Sequence, residues 1–97
     1  MSGALTITLI GKPGCHLCDD ARGIVTSVVA ELAGDASAPV ITIEELSILD
    51  DAALHEKYVE EIPVVLLNGR VHNMWRVDAA RLRTAIRAIE PPHAIKQ

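Results

Sequence analysis

A long apolar helix pattern between two β-branched segments restricts the possible folds more than any other feature of this chain. Residues 5–10 alternate threonine with leucine and isoleucine, which is typical of a strand, and the Gly-Lys-Pro-Gly sequence at 11–14 ends it. Residues 40–44 are again β-branched and predict a second strand. Between them, seven apolar residues recur on one face of a helix, which we expect Gly34 to end. These residues are Leu17, Ala21, Ile24, Val25, Val28, Val29 and Leu32. Because a helical crossover joins the two strands, they should be parallel.

The second half of the chain predicts a short helix and a β-hairpin. Asp50 is a candidate cap for a helix over residues 51–58. Residues 63–67 form a nearly unbroken apolar run, which favours a strand buried on both faces. The Asn-Gly pair at 68–69 is a strong hairpin signal, so residues 70–76 should form the antiparallel partner strand.

A last helix is predicted after the hairpin. Asp78 can cap it, and the two prolines at 91–92 should stop it. Its inner face would carry Ala79, Leu82, Ile86 and Ile89, and its outer, solvated face would carry Arg81, Arg83 and Arg87. The element order β-α-β-α-β-β-α predicts an α/β fold with one four-stranded mixed sheet and helices on both faces.

The length and composition of the chain exclude several classes of protein. With 97 residues, of which 49% are hydrophobic and 23% charged, the chain suits one ordered domain over 1–97, with a core at about 5–89 and a C-terminal tail at 90–97. A net charge of −4 and an aromatic content of 2% argue against a nucleic-acid partner. The sequence has no apolar run of about 18 residues, and no positive charge precedes the apolar residues 4–10 as it would in a signal peptide. We therefore expect a cytoplasmic monomer that binds neither nucleic acid nor membrane.

The Cys15-His16-Leu17-Cys18 sequence stands where the first strand's loop enters the first helix. A thiol at a helix N-terminus is stabilised as the thiolate by unpaired backbone amides and by the helix dipole. Cys18 lies one turn further on, at the edge of the apolar stripe, and should be more buried. In a reducing compartment such a pair is more often catalytic or metal-binding than structural. The pattern therefore favours a redox site in which Cys15 attacks and Cys18 resolves the mixed disulfide.

Other interpretations of the cysteine pair remain open. It could be half of a zinc site, although the sequence has no second cysteine pair and His55, His72 and His93 are scattered. It could hold an iron–sulfur cluster or another metal between two copies of the chain, which would then be a carrier. The cysteines could also be incidental in a non-enzymatic adaptor. A brown anaerobic preparation would favour the cluster.

Residues 12–18, Lys-Pro-Gly-Cys-His-Leu-Cys, together with Glu-Ile-Pro-Val at 61–64, resemble the glutaredoxin branch of the thioredoxin-like superfamily. The resemblance is closest to small bacterial glutaredoxin-like proteins with a Gly-Cys-His-Leu-Cys signature, and it extends over about residues 5–89. It implies a thioredoxin-like fold and a thiol–disulfide oxidoreductase. Cys15 would be the nucleophile and Cys18 the resolving thiol. The partners would be a disulfide-containing protein or small thiol and an external reductant, without an organic cofactor.

The same resemblance implies roles for three further residues, and the position of His16 at the helix start gives an expectation for a fourth. Pro63 would be a cis-proline that faces the cysteines, and the backbone of Ile62 would bind an extended thiol substrate. Lys12 would favour the thiolate and help to bind glutathione. His16 is expected to be exposed, with a charge that tunes the thiolate.

Several departures from glutaredoxins bear on glutathione. His16 and Leu17 replace the usual Pro-Tyr, and residues 75–78 replace the Gly-Gly turn before the last helix. Glu60 and Glu61 would repel the anionic tripeptide. We therefore expect glutathione to be at most a weak co-substrate.

The two aromatic side chains have different expected roles. Tyr58 should pack on the inner face of the short helix. Trp75 lies in the second strand of the predicted hairpin and either covers the core or contacts the substrate, and the sequence leaves both open.

Overall fold

The structure is a computed structural model that describes residues 4–89. Within this part of the chain, strands and helices follow in the predicted order β-α-β-α-β-β-α. The strands are β1 (Ala4–Gly11), β2 (Val40–Ser47), β3 (Val64–Leu67) and β4 (Arg70–Met74). The helices are α1 (His16–Leu32), α2 (Ala52–Tyr58) and α3 (Ala79–Arg87). None of these helices is both long and apolar enough to cross a membrane.

The strands form one mixed sheet in the order β2-β1-β3-β4. As predicted, β1 and β2 are parallel, and their pairing extends to Gly11 opposite Ser47, which makes β2 longer than the sequence indicated. β3 is antiparallel to both β1 and β4. Ile10 lies opposite Val64, so the end of β1 meets the start of β3 in the middle of the sheet.

Helices cover both faces of the sheet, as predicted. The side chains of Leu5, Ile7 and Leu9 pack in one core with the buried residues of α1 and α3. Ile10 and Val64 point to the opposite face, where they pack in a second core with Tyr58 of α2. The alternation of side chains along a strand thus divides β1 between two cores.

The hairpin turn has the geometry that its sequence predicts. Asn68 and Gly69 have φ values of 50° and 85°, which suits the left-handed turns that connect two-residue hairpins. The Asn68 side chain also accepts a hydrogen bond from the Thr6 amide at 2.8 Å and so ties the turn to β1. β4 ends at Met74 rather than at residue 76, because Trp75 leaves the strand conformation with a φ of 65°.

The cap predicted for α2 is wrong by one residue. Asp51, not Asp50, caps the helix, and its carboxylate accepts hydrogen bonds from the amides of Ala53 and Leu54. The Asp50 amide closes the preceding turn on the Ser47 carbonyl at 3.1 Å, which leaves the next residue to begin the helix. The cap predicted for α3 is present in the structure.

The arginine face of α3 lies at the surface, as predicted, and two of its side chains also form ion pairs. Arg83 donates two hydrogen bonds to the Glu31 carboxylate, at 2.6 and 3.0 Å, and Arg87 pairs with Asp35 at 2.9 Å. These contacts join α3 to α1 and to the loop that follows α1. The third arginine, Arg81, is exposed. α3 ends at Arg87, and the prolines at 91–92 lie outside the described residues.

Candidate redox site

Cys15 is the N-cap of α1. Its backbone is extended, with φ −107° and ψ 112°, and its Sγ accepts a hydrogen bond from the Cys18 amide at 3.2 Å. The Asp19 amide donates to the Cys15 carbonyl at 3.0 Å, which is the first bond of the helix. The sulfur therefore occupies the position of a capping serine or aspartate oxygen, where amide donors and the helix dipole favour negative charge.

The two cysteine sulfurs form a disulfide, with the Cα atoms 5.2 Å apart. This separation lies within the usual range of about 4.4–6.8 Å for disulfides. Cys18 is 1% exposed and belongs to the buried face of α1, whereas Cys15 is half-buried. An incoming group would therefore reach Cys15 first, which is the difference in burial that the helix pattern predicted.

Cys18, not Leu17, occupies the inward position in the first turn of α1. The apolar stripe predicts a buried Leu17, but this side chain is 38% exposed. The buried residues of the helix are Cys18, Ala21, Val25, Val28 and Leu32. This face runs along the sheet, and one residue of helical rotation, about 100°, carries Leu17 out of it.

Gly11 belongs to the site, although its place in the sequence predicts only the end of a strand. A Cβ on Gly11 would lie 2.9 Å from Cys18 Sγ and 3.1 Å from Cys18 Cβ. Real Cβ atoms essentially never approach other atoms within 3.0 Å. The backbone of β1 thus passes so close to the buried sulfur that only glycine fits without a shift. A glycine that ends a strand just before a Cys-x-x-Cys helix was the available signal.

Ile62 and Pro63 lie at the same end of the sheet as the cysteines. Pro63 directly precedes Val64, which pairs with Ile10 near the end of β1. The Ile62–Pro63 peptide bond is cis, Pro63 is fully buried and Ile62 is half-buried. The chain fold therefore brings the two segments of the sequence motif together.

Lys12 and His16 flank the cysteines on the surface. Both side chains are exposed, Lys12 in the loop after β1 and His16 at the first position of α1. Lys12 lines a groove of about 320 Å³ that also reaches Cys18 and Glu45. Their expected effects on a thiolate remain predictions.

An ion-pair network lies beside the first turn of α1. Arg22 contacts Asp19 at 2.8 Å and Glu45 at 2.9 Å. Hydrogen bonds to the Asp19 and Glu45 carboxylates raise the pKa of Arg22 above its ordinary value. Arg22 thus partly neutralises Asp19, the acid of the first turn, whereas the neighbouring Asp20 does not share this ion pair.

Trp75 lies next to Pro63 and does not cover the core. Its backbone amide donates to the Pro63 carbonyl at 2.8 Å, and its indole Nε1 donates to the Glu60 carbonyl at 3.0 Å. The residue is 54% exposed. Of the two roles left open by the sequence, the structure therefore excludes the core cover.

The described residues offer no metal centre of ordinary composition. Across residues 4–89, no group of three or more histidine, cysteine, aspartate or glutamate side chains is arranged to hold an ion. Within the part of the chain that the structure describes, the cysteine pair therefore has no third side chain placed to complete a metal site.

Comparison with known proteins decides the family. Residues 6–87 match the family described as Glutaredoxin-like domain (DUF836). The chain belongs to this glutaredoxin-like family. The glutaredoxin-like chain is also 34% identical, over 86 residues, to the uncharacterized proteins Rv0508 of Mycobacterium tuberculosis and Mb0520 of Mycobacterium bovis. Each match covers 82% of this chain and 80% of the relative.

Solved structures share the fold. The solution structure of XcR50 from X. campestris is 34% identical, with a TM-score of 0.63, and the match covers 97% of this chain and 100% of that one. Ne2328 from Nitrosomonas europaea has a TM-score of 0.67 at 17% identity, with 84% and 91% coverage, and shows the fold alone. The predicted thioredoxin-like fold is confirmed, and the cysteine pair at disulfide distance fits a thiol-oxidoreductase-like role.

Proposed function

We propose that this glutaredoxin-like protein is a thiol–disulfide oxidoreductase that cycles Cys15 and Cys18 between dithiol and disulfide. The arrangement of the two sulfurs carries the proposal. One is half-exposed at a helix N-terminus, and the other is buried one turn along at bonding distance. A structural disulfide would not need a capping sulfur that solvent can reach.

The reaction has two exchange steps. The Cys15 thiolate attacks one sulfur of a substrate disulfide, the substrate S–S bond breaks, and the other substrate sulfur leaves as a thiolate that takes up a proton. Cys18 then loses its proton to solvent and attacks Cys15 Sγ, which releases the second substrate sulfur. Two electrons have passed to the substrate, and the Cys15–Cys18 disulfide remains. An external thiol reductant returns two electrons and two protons.

The neighbouring residues support this chemistry in different ways. The Cys18 amide that caps Cys15 would stabilise the thiolate both before attack and as a leaving group. The backbone at Ile62, beside the cis-proline Pro63, would pair with an extended substrate. Lys12 would add a positive charge on the open side of the loop.

The test compares the protein with two single-cysteine variants. Reduced protein treated with limiting iodoacetamide near neutral pH should be alkylated mainly at Cys15, as mapped by mass spectrometry. With dithiothreitol as the reductant, the native protein should accelerate insulin reduction. Cys18→Ser should accumulate a mixed disulfide with the substrate, and Cys15→Ser should form none.

Two results would overturn the proposal. Preferential alkylation of Cys18 would reverse the assigned roles, and turnover by Cys15→Ser equal to that of the native protein would remove the mechanism. An anaerobic preparation with the visible absorbance of an iron–sulfur cluster would instead support the carrier function that the sequence left open.

A further inference from the structure

Two large apolar side chains are exposed in one groove beside the redox site. Leu17 and Trp75 are 38% and 54% exposed, and they line this groove with Asp20, Arg76 and Val77. Five other large apolar residues of the described chain are also exposed, but none of them lines this groove; they are Val40, Ile43, Leu49, Val59 and Val71. Exposed apolar side chains that converge in a single groove are typical of interaction sites.

Both walls of the groove are attached to the reacting elements. Leu17 lies between the two cysteines in the first turn of α1. Trp75 is hydrogen-bonded through its amide to the carbonyl of Pro63. A substrate bound at the Cys15 sulfur would therefore pass next to both apolar side chains.

Trp75 is held in place by its surroundings. Its φ of 65° is unusual for a bulky residue, and it is maintained by the hydrogen bonds to Pro63 and Glu60. A rigid, exposed aromatic side chain loses little conformational freedom when a partner packs on it. Backbone strain at an exposed side chain next to a reactive centre is consistent with a role in binding.

The groove has the size of one side chain. Its volume is about 180 Å³. Sites that enclose a whole small molecule usually measure about 300–1,000 Å³. The groove thus suits a leucine-sized group attached to a larger chain rather than an entire tripeptide.

The charges around the groove favour a cationic neighbour. Asp20 lines it, and Glu60 and Glu61 belong to the segment that holds the indole, whereas Arg76 is the basic residue of the lining. The segments around the site thus carry three carboxylates and, with exposed Lys12 in the loop after β1, two basic side chains. This small excess of carboxylates favours a partner with lysine or arginine over anionic glutathione.

We propose that Leu17 and Trp75 form an apolar subsite that selects polypeptide disulfides with a large apolar residue next to the reactive cysteine and basic residues beyond it. The inference rests on the proposed oxidoreductase function and names its substrate class. The substrate cysteine would bond to Cys15 Sγ while its apolar neighbour fills the groove.

The experiment uses short cysteine peptides as mixed disulfides with 2-nitro-5-thiobenzoate. Attack by Cys15 on the peptide sulfur breaks the mixed disulfide and releases the coloured thiolate, so the second-order rate is read directly. Peptides carry leucine or alanine after the cysteine and lysine or glutamate as flanking residues, and the glutathione mixed disulfide is compared. We expect a rate about 10-fold higher for leucine than for alanine, with lysine-flanked peptides faster than glutamate-flanked ones at low salt.

Variants test the subsite through the ratio of the rate with the leucine peptide to the rate with the alanine peptide. Because both rates are measured on the same variant, a general loss of reactivity does not change this ratio. The ratio should fall towards one in Trp75→Gly, which suits the positive φ, and in Leu17→Ser on the opposite wall. Val71→Ala removes an equally exposed apolar side chain outside the groove and should keep the native ratio.

The outcomes separate the two proposals. If the native protein attacks none of the mixed disulfides, the oxidoreductase function fails. If it attacks all of them with equal rates, or if both groove variants keep the native ratio, the function stands and the subsite is refuted.

Discussion

Replacing Gly11 with alanine should destabilise the folded protein because β1 passes against the buried sulfur of Cys18. The new Cβ would lie 2.9 Å from Cys18 Sγ, about 0.5 Å closer than the 3.4 Å at which ordinary contact begins. The Cys18 side chain cannot rotate away in the oxidised protein because its sulfur is bonded to Cys15. The strand or the helix must therefore shift.

The expected loss follows from two opposing effects. Overpacking of a dense core usually costs about 1–3 kcal/mol. Alanine also restricts the unfolded chain relative to glycine, which returns roughly 0.4–1 kcal/mol. The overlap is the larger effect, so the free energy of unfolding should fall by about 1–2 kcal/mol, and Tm by about 4–8 °C for each kcal/mol.

Gly23 offers a matched control on the exposed side of α1. A Cβ there meets nothing within 4 Å, so Gly23→Ala should stabilise the protein by up to about 1 kcal/mol through helix propensity. Urea unfolding followed by circular dichroism measures both variants. The loss in Gly11→Ala should be smaller after reduction, when the Cys18 side chain is free to rotate. If the two alanine variants change stability in the same direction and by the same amount, the close approach at Gly11 has no energetic effect and the reasoning fails.

Three further predictions concern the rest of the fold. Burial, together with the charge of Arg81, lowers the pKa of His72 below its ordinary value of 6.5. As the pH drops, the unfolded chain therefore binds a proton at this histidine before the folded protein does, and the free energy of unfolding should fall between about pH 7 and pH 5. Urea titrations of His72→Gln should show a weaker fall over the same range. Asp78→Ala removes the cap of α3 and should cost about 1 kcal/mol in the same assay, whereas Asp78→Asn should keep most of the stability. Arg83→Ala should lower the urea midpoint slightly at low salt and not at about 1 M salt, because salt screens the ion pair with Glu31. An equal loss at both salt concentrations would show that Arg83 stabilises the protein through packing instead.

Short-range features of the chain were predictable because neighbouring residues determine them. An aspartate before a helix caps it through amides two or three residues away, as Asp78 does, and the turn at 68–69 depends on two residues that tolerate positive φ. The position of Cys15 at a helix start followed in the same way from the break before an apolar stripe. Where two candidates stood side by side, as Asp50 and Asp51 do, the sequence could not choose, because the preceding turn sets where the helix begins.

Local sequence thus determines the redox motif, the order of the elements and the division into strands and helices. Contacts between distant segments are not, because they depend on how closely and at which angle two elements pack. The rotation of α1 on the sheet turned Leu17 outward, and the path of β1 made Gly11 a neighbour of the Cys18 sulfur. The start of β3 lies against the loop after β4, where the hydrogen bond from the Trp75 amide to the Pro63 carbonyl holds the exposed Trp75 beside Pro63. A single helical residue corresponds to a rotation of about 100°, so a small change in packing decides which side chain faces the substrate and which is buried.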